Sequence, residues 1–237
     1  MKVILSLLCL LSIAVPTRAD VIFSDDFEDG TWSKWTIEGR RNYTWTADVV
    51  ERHGSDMGHL YKQAFSEVTA VGPSFDYDPN LKFEFDMEVM VATGSVPSDN
   101  YYASGMAEFL FFNAAHETVG RVEYVASTTD YRVNTHNNPP NDTADYFVTD
   151  HAVSGNTGLA SYSLDMSDLL DGATVPVENI DSVVLSFVTY NSAGPVNYLT
   201  SEVWVDNVRV TTVPEPASPV LLGLGLVGFL TQRRRRQ

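Results

Sequence analysis

The chain of 237 residues has a single cysteine, Cys9, and few basic residues. Cys9 lies in an apolar N-terminal stretch that would be removed as a signal peptide. The rest of the chain has no cysteine, which excludes a disulfide and a thiol nucleophile there. The 15 Lys and Arg residues face 31 Asp and Glu residues, for a net charge of −16. Between residues 20 and 230, nine basic residues face all 31 acidic ones, a net charge of −22. A surface this acidic repels phosphate backbones, which excludes nucleic acid as a partner.

The chain also has no apolar run long enough for a stable membrane span. The apolar run near its N-terminus is too short. It covers the thirteen residues Val3–Val15, follows the positive Lys2 and precedes the small residues Thr17 and Ala19. A bilayer span needs about 20 apolar residues. Residues 1–19 are therefore predicted to be a secretory signal peptide, which implies export through the inner membrane.

The C-terminal residues 213–237 combine a Pro-Glu-Pro sequence, an apolar run and a basic tail. The apolar run Val220–Leu230 has eleven residues, too few for a permanent span, so it predicts a short hydrophobic helix that inserts transiently. Positive residues after it favour retention on the cytoplasmic side. An ordinary tail anchor is the alternative. The residues of the predicted sorting motif are Pro214, Glu215, Pro216, Arg233, Arg234, Arg235 and Arg236.

This C-terminal pattern resembles the PEP-CTERM sorting signal of Gram-negative bacteria. The resemblance implies that an exosortase, a membrane transpeptidase-like enzyme, recognises and cleaves the chain near Pro214–Pro216. It also implies a destination at the cell surface or in the extracellular exopolysaccharide matrix.

Residues 20–212 predict one all-β domain, because apolar and polar residues alternate with period two and helical periodicity is nearly absent. Leu81–Val91 has one apolar and one mostly acidic face, and Glu202–Thr212 alternates similarly. Ser182–Tyr190 is apolar on both faces, as in a central strand of a sandwich. About ten such runs separated by turn residues predict a β-sandwich.

The start and end of this domain resemble galactose-binding-like and concanavalin-like jelly rolls, which include many carbohydrate-binding modules. The resemblance is carried by Phe23–Gly30 with Trp32 and Trp35, and by Tyr162–Met166 and Val205–Val208 near the end. It implies a jelly-roll β-sandwich whose first and last strands are neighbours.

That neighbourhood is expected to bring Asp26 and Glu28 near Asp206. Three converging carboxylates repel each other unless a hard cation is bound between them. In the modules that the chain resembles, a structural Ca²⁺ lies at this place, so calcium is the expected cofactor. The alternative is a solvated acidic turn, or neutralisation by Lys34 or Arg209.

Glu84, Asp86 and Glu88 lie on one face of a predicted strand. They resemble the Glu-x-Asp-x-Glu strand of laminarinase-type glycoside hydrolases, which implies Glu84 as nucleophile, Glu88 as acid/base and Asp86 between them. On a regular strand, however, Cα atoms four residues apart are separated by about 13 Å, while a retaining pair of carboxylates needs about 5.5 Å. A solvated acidic strand face explains the same spacing without catalysis.

The remaining candidates are two predicted loops that combine flat rings with planar polar groups, as sugar binding requires. The alternative is ordinary tyrosines at loop edges. The five histidines show no spacing typical of a zinc site. The predicted ligand-binding residues are Asn100, Tyr101, Tyr102, Tyr131 and Arg132.

Together these features predict a secreted, non-catalytic protein of the cell surface or exopolysaccharide matrix. Its expected partners are an exosortase during sorting and, in the matrix, a polysaccharide. A glycan-binding module and a matrix-structural protein both fit this prediction. The alternative is a laminarinase-like hydrolase that uses Glu84 and Glu88.

Overall fold

A computed structural model describes residues 19–39, 44–63, 66–92, 103–127, 145–152, 155–171, 177–191 and 200–212. In these residues two β-sheets pack face to face around a main apolar core, and a second, smaller buried apolar cluster contains Met106, Val125 and Val188. The predicted signal peptide, apart from Ala19, and the predicted sorting segment 213–237 lie outside the described residues. The all-β jelly-roll sandwich predicted from the sequence is confirmed.

Sheet A has seven strands in the described part of the chain, and all of its pairs are antiparallel. Its main path runs β10-β6-β13-β4-β3, with β1 beside β13 and β11 beside β6. The strands are β1 (Asp20–Asp25), β3 (Trp45–Arg52), β4 (Ser55–Gln63), β6 (Leu81–Ala92), β10 (Gly155–Asn156), β11 (Ala160–Asp165) and β13 (Thr200–Thr212).

Sheet B has six strands in the order β2-β5-β12-β7-β8-β9. Its pairs are antiparallel except for β8 and β9, which are parallel. The strands are β2 (Thr36–Gly39), β5 (Ser66–Asp76), β7 (Ala103–Phe112), β8 (Thr118–Ser127), β9 (Asp145–Ala152) and β12 (Ser182–Asn191).

The core forms where the alternating apolar residues of both sheets meet. On β6, Phe83, Phe85 and Met87 are at most 3% exposed and point inward, while Glu84 and Asp86 on the opposite face are half-buried. Burial of the apolar face alone is what a sandwich strand requires, because only one side of each sheet is covered by the other. The period-two pattern therefore identified which face of this strand is in the core.

Helical structure in the described residues is limited to α1 (Met166–Leu170) and a 3₁₀ turn at Val177–Asn179. Met166 continues the alternation of β11 in the sequence, yet it begins α1. The helix starts there because Asp165 and Asp168 cap its first turn reciprocally. No helix in the described ranges is long and apolar enough to cross a membrane.

The first and last strands are neighbours, as expected. Asp20 lies opposite Thr212 and Asp25 lies opposite Val208. Strand β4 pairs with the other half of β13, from Thr200 to Val205. Beyond that point β1 takes the place of β4 beside β13, and the tip of the β3–β4 hairpin is free to fold across the sheet.

Candidate functional site

The outer face of sheet A, the side that faces away from the core, carries the chemistry-bearing residues. Trp204 on β13 lies directly opposite His59 on β4 and Glu88 on β6. These three residues form one row across three adjacent strands. Their side chains point outward because their chain neighbours Val203, Val205 and Leu60 are in the core.

Glu88 is 1% exposed although it faces outward, because side chains from two other elements cover it. Arg52 donates to both of its carboxylate oxygens, from Nε and Nη2, at 2.6 Å each. His53 Nε2 lies 2.7 Å from Oε2, and the Asn156 amide donates to Oε1. The Arg52 hydrogen bonds lower the pKa of Glu88 to about 2, with His53 and Asn156 contributing in the same direction against the effect of burial. Glu88 is therefore an ionised carboxylate at neutral pH.

The Trp204 indole contacts a charged group and a second ring. The guanidinium carbon of Arg52 lies 3.8 Å from its ring centroid, a cation–π contact. The His59 imidazole stacks on it with a centroid distance of 5.0 Å and an interplanar angle of 10°. His59 is held in turn by Asp48 Oδ1 at 2.8 Å from Nδ1 and by Glu202 Oε2 at 3.0 Å from Nε2. Every planar group of this set thus has a fixed orientation.

The β3–β4 hairpin brings Arg52 and His53 to Glu88. His53 and Gly54 form its two-residue turn with φ of 55° and 85°, the left-handed values that a tight hairpin turn of this kind requires. Because β4 pairs with β13 only from Gly58 onward, the hairpin tip that precedes Gly58 lies over β13 and reaches β6. We call Arg52, His53, His59, Glu88 and Trp204 the Trp204 platform.

Beside the platform lies a second group of carboxylates. The Ser55 hydroxyl is 2.8 Å from Asp206 Oδ2 and 3.0 Å from Glu28 Oε1. The Asn207 amide donates to Asp86 Oδ2 at 2.8 Å. Burial raises the pKa of Asp206, hydrogen bonds from Ser55 and the Asn207 backbone lower it, and the charges of Asp86 and Glu28 raise it. The hydroxyl of Ser55 has only one proton to share between two carboxylates, so this group favours an additional proton or cation.

The structure brings together two of the three residues predicted to bind calcium. Glu28 and Asp206 meet at Ser55, while Asp26 is exposed and accepts a hydrogen bond from the Glu28 backbone nitrogen at 3.4 Å. Within the described ranges, no group of three or more His, Cys, Asp or Glu side chains is arranged to hold a metal ion. The donors at Ser55 are oxygens suited to Ca²⁺, and calcium binding stays a prediction.

Lys34 was an alternative partner for the carboxylates Asp26, Glu28 and Asp206, but in the structure it contacts Asp25. Its Nζ lies 3.4 Å from Asp25 Oδ1, and Trp35 Nε1 donates to the other oxygen of Asp25 at 2.7 Å. Asp25 is 3% exposed, so these contacts satisfy a buried charge at the start of the domain.

The pKa of Glu88 does not match the acid/base role that the laminarinase resemblance implies for it. A catalytic acid needs a raised pKa to hold its proton at neutral pH, but the pKa of Glu88 is lowered to about 2. Glu84 Oε1 instead pairs with Lys82 Nζ at 3.2 Å. The alternation correctly placed all three carboxylates on the outer face of β6.

The predicted ligand-binding residues of the aromatic loops, Asn100, Tyr101, Tyr102, Tyr131 and Arg132, lie outside the described residues. The site residues predicted from the sequence do not include Arg52, His53, His59 or Asn156. Trp204 alternates with the core residues Val203 and Val205, so its indole lies on the outer face, where Arg52 and His59 cover it and leave it 4% exposed.

A family model for the PEP-CTERM protein-sorting motif matches residues 212–236. The predicted sorting signal is therefore confirmed. No characterised protein sequence matches the chain.

Several solved carbohydrate-binding modules are similar to this chain. The family 11 module of the cellulosomal cellulase Lic26A-Cel5E of Clostridium thermocellum has 16% identity and a TM-score of 0.39, over 84% of this chain and 98% of that one. A module specific for non-crystalline cellulose, CBM28, has 15% identity and a TM-score of 0.41, over 81% of this chain and 94% of that one. A mannan-recognising module, TmCBM27, has 12% identity and a TM-score of 0.37, over 84% of this chain and all of that one.

Proposed function

We propose that this protein is an exported, exosortase-sorted surface protein that binds polysaccharide without catalysis through the outer face of sheet A. The observation that carries the proposal is the Trp204 platform, in which Arg52 and His59 are held in fixed orientations over the buried Trp204 indole on the outer face of sheet A. The sorting motif at residues 212–236 supports the destination. The exopolysaccharide matrix is the proposed environment.

Sugar recognition uses bidentate and planar polar side chains whose orientation is set before the ligand arrives. Here the orientation of Arg52 is set by Glu88 and Trp204, and that of His59 by Asp48 and Glu202. Because these side chains are already ordered, a ligand loses little affinity to the immobilisation of rotamers. The exposed His53 and Asp48 side chains, 46% and 53% exposed, have hydrogen-bonding capacity left for hydroxyl groups.

The acidity of the chain narrows the class of polysaccharide. A net charge of −22 between residues 20 and 230 repels polyanions such as uronic-acid polymers at low ionic strength. Neutral glycans are the proposed ligands. A purely structural role in the matrix, with the acidic surface as the functional feature, is the second candidate.

The test is depletion of the purified protein from solution by insoluble and gelled polysaccharides, neutral and anionic. We expect depletion by at least one neutral glycan and a loss of about fivefold or more in affinity for Asp48→Ala and His53→Ala, on the order of 1 kcal/mol per lost hydrogen-bonding side chain. Glu117→Ala, an exposed change on the β7–β8 turn of sheet B, is the matched control. Absence of depletion on every glycan would leave the structural role as the better explanation.

Two further arms test the calcium and loop predictions. Calcium-dependent depletion that Glu28→Gln weakens would support a cation at Ser55, and equal depletion in calcium and in EDTA would count against it. Substitution of Tyr101, Tyr102 and Tyr131 by Ala tests whether the aromatic loops take part in binding.

A further inference from the structure

The last strand of the domain runs directly into the sorting motif. Strand β13 ends at Thr212, and the match to the PEP-CTERM motif begins at residue 212. Pro214, the first residue of the Pro-Glu-Pro sequence, is only two residues further along, a reach of about 7 Å for an extended chain. An enzyme that cuts at this motif therefore works within about two residues of a strand.

That strand is central to the fold. Strand β13 pairs with β6 along one edge and with β4 and then β1 along the other. Its inward residues Val203, Val205, Val208 and Val210 are at most 1% exposed. Sheet A is therefore incomplete until the final residues before the sorting motif have joined it.

The two ends of the domain leave it side by side. Asp20, the residue after the predicted signal peptide, lies opposite Thr212. Direct partners in an antiparallel pair have Cα atoms about 5 Å apart. Val21 and Ile22 beside this exit are 49% and 47% exposed, so the end of the sandwich at Asp20 and Thr212 presents apolar side chains. We call it the exit end.

A precursor held in the membrane by its C-terminal apolar run still has β13 outside the membrane. The eight residues that follow Thr212, as far as Val220, span at most about 28 Å, so the exit end must lie close to the membrane. Burial of the β13 valines favours closure of the sheet in this state, because an unpaired β13 leaves them in water.

We propose that the sandwich closes before the sorting segment is cut, with the exit end facing the membrane. The cutting enzyme then meets a folded domain whose last strand ends next to its target. This inference rests on the proposed sorting by an exosortase. The domain therefore folds in the uncleaved precursor, and cleavage follows folding.

The first test uses a disulfide as a reporter of sheet closure in the full chain, exported in cells that carry the sorting enzyme. Ser24 and Arg209 are direct partners on β1 and β13 and both are exposed, so Ser24→Cys with Arg209→Cys forms a disulfide only when β1 has paired with β13. Ser24→Cys with Thr200→Cys is the control, since Thr200 lies about 30 Å away along β13. Both variants carry Cys9→Ser.

In a pulse-chase experiment on non-reducing gels, we expect the uncleaved precursor to contain the disulfide and to become the cleaved form with the disulfide intact. A precursor that stays reduced, with the disulfide appearing only after cleavage, would overturn the inference. If the sorting segment is never removed, the proposed sorting fails, and that result is distinguishable because the disulfide is scored independently.

A second test leaves the fold unchanged. Insertion of six Gly and Ser residues after Thr212 moves the motif away from the folded strand, and we expect cleavage to become several-fold faster. The same insertion between Ala114 and Ala115, in the exposed β7–β8 turn, is expected to leave the rate unchanged. An unchanged or slower rate with the first insertion would show that the enzyme does not meet a folded β13.

Discussion

At the scale of single residues, two buried glutamates in this sandwich have opposite acidities. Glu88 on sheet A has Arg52 as a bidentate partner, and its pKa is lowered to about 2. Glu123 on sheet B is 2% exposed and lies directly opposite Glu108. Burial raises the pKa of Glu123 to about 7, with repulsion by Glu108 adding to it and Arg121 opposing it. The same side chain thus stabilises the fold at one site and costs stability at the other.

Glu123→Gln is expected to stabilise the protein above pH 7. Because the folded pKa of Glu123, about 7, exceeds the ordinary value of 4.5, the folded state binds the proton more tightly. Its contribution to stability is fully present below pH 4.5 and is lost as pH rises to about 7. The amide removes this loss, a gain of up to about 3 kcal/mol at pH 8. Urea unfolding at pH 5 and pH 8 measures it.

The control for Glu123→Gln is Glu51→Gln, an exposed change on β3. Equal effects of Glu123→Gln at pH 5 and pH 8 would contradict the raised pKa.

Glu88→Gln is expected to destabilise the protein by about 2–3 kcal/mol near neutral pH, because Arg52 loses a charged partner. The folded pKa of Glu88, about 2, is below the ordinary 4.5, so its contribution is present above pH 4.5 and lost as pH falls toward 2. Wild type and variant should therefore converge in stability near pH 2 in denaturant titrations. Glu84→Gln, half-buried on the same strand face, is the control, and an unchanged Glu88→Gln stability at pH 7 would contradict the argument.

At the scale of elements, the two sheets approach closely where β7 faces β6 and β13. A Cβ built on Gly105 of β7 lies 2.5 Å from Val203 Cγ2 and 2.6 Å from Val89 Cγ1. These valines belong to the opposite sheet, so residue 105 sets how closely the sheets pack there. The absence of a side chain is a packing requirement at this position.

Gly105→Ala is expected to destabilise the fold by about 1–3 kcal/mol through overpacking. Val203→Ala opens space beside the added methyl group, so the double variant should be more stable than the sum of the two single effects predicts. Thermal unfolding of all four proteins measures this coupling. Additive effects would show that the methyl group is accommodated elsewhere.

At the scale of the whole molecule, repulsion between negative charges is the main electrostatic effect on stability. A net charge of −22 between residues 20 and 230 opposes the compact state by self-repulsion while keeping the protein soluble. The Trp204 platform is one place where this repulsion is offset locally, since Arg52 lies among the carboxylates of Glu88 and Glu202.

The melting temperature is expected to rise by several degrees between about 20 mM and 500 mM NaCl, because salt shortens the Debye length from about 20 Å to about 4 Å and screens this repulsion. The measurement is calorimetry at pH 7 with Ca²⁺ chelated. A melting temperature that falls with NaCl would show that attractive ion pairs outweigh the repulsion.

Local patterns were sufficient to predict the fold class, the outer and inner faces of β6, the pairing of β1 with β13 through the resemblance, and the sorting motif. Alternation and terminal motifs depend on neighbouring residues, so a sequence displays them directly. The Trp204 platform depends on distant ones. Arg52 and Glu88 are 36 residues apart and Asn156 and Glu88 are 68 apart, and they meet because β4 leaves β13 and the hairpin tip folds across the sheet. No spacing in the sequence encodes that crossing, because it depends on which strands pair along β13 in the folded molecule.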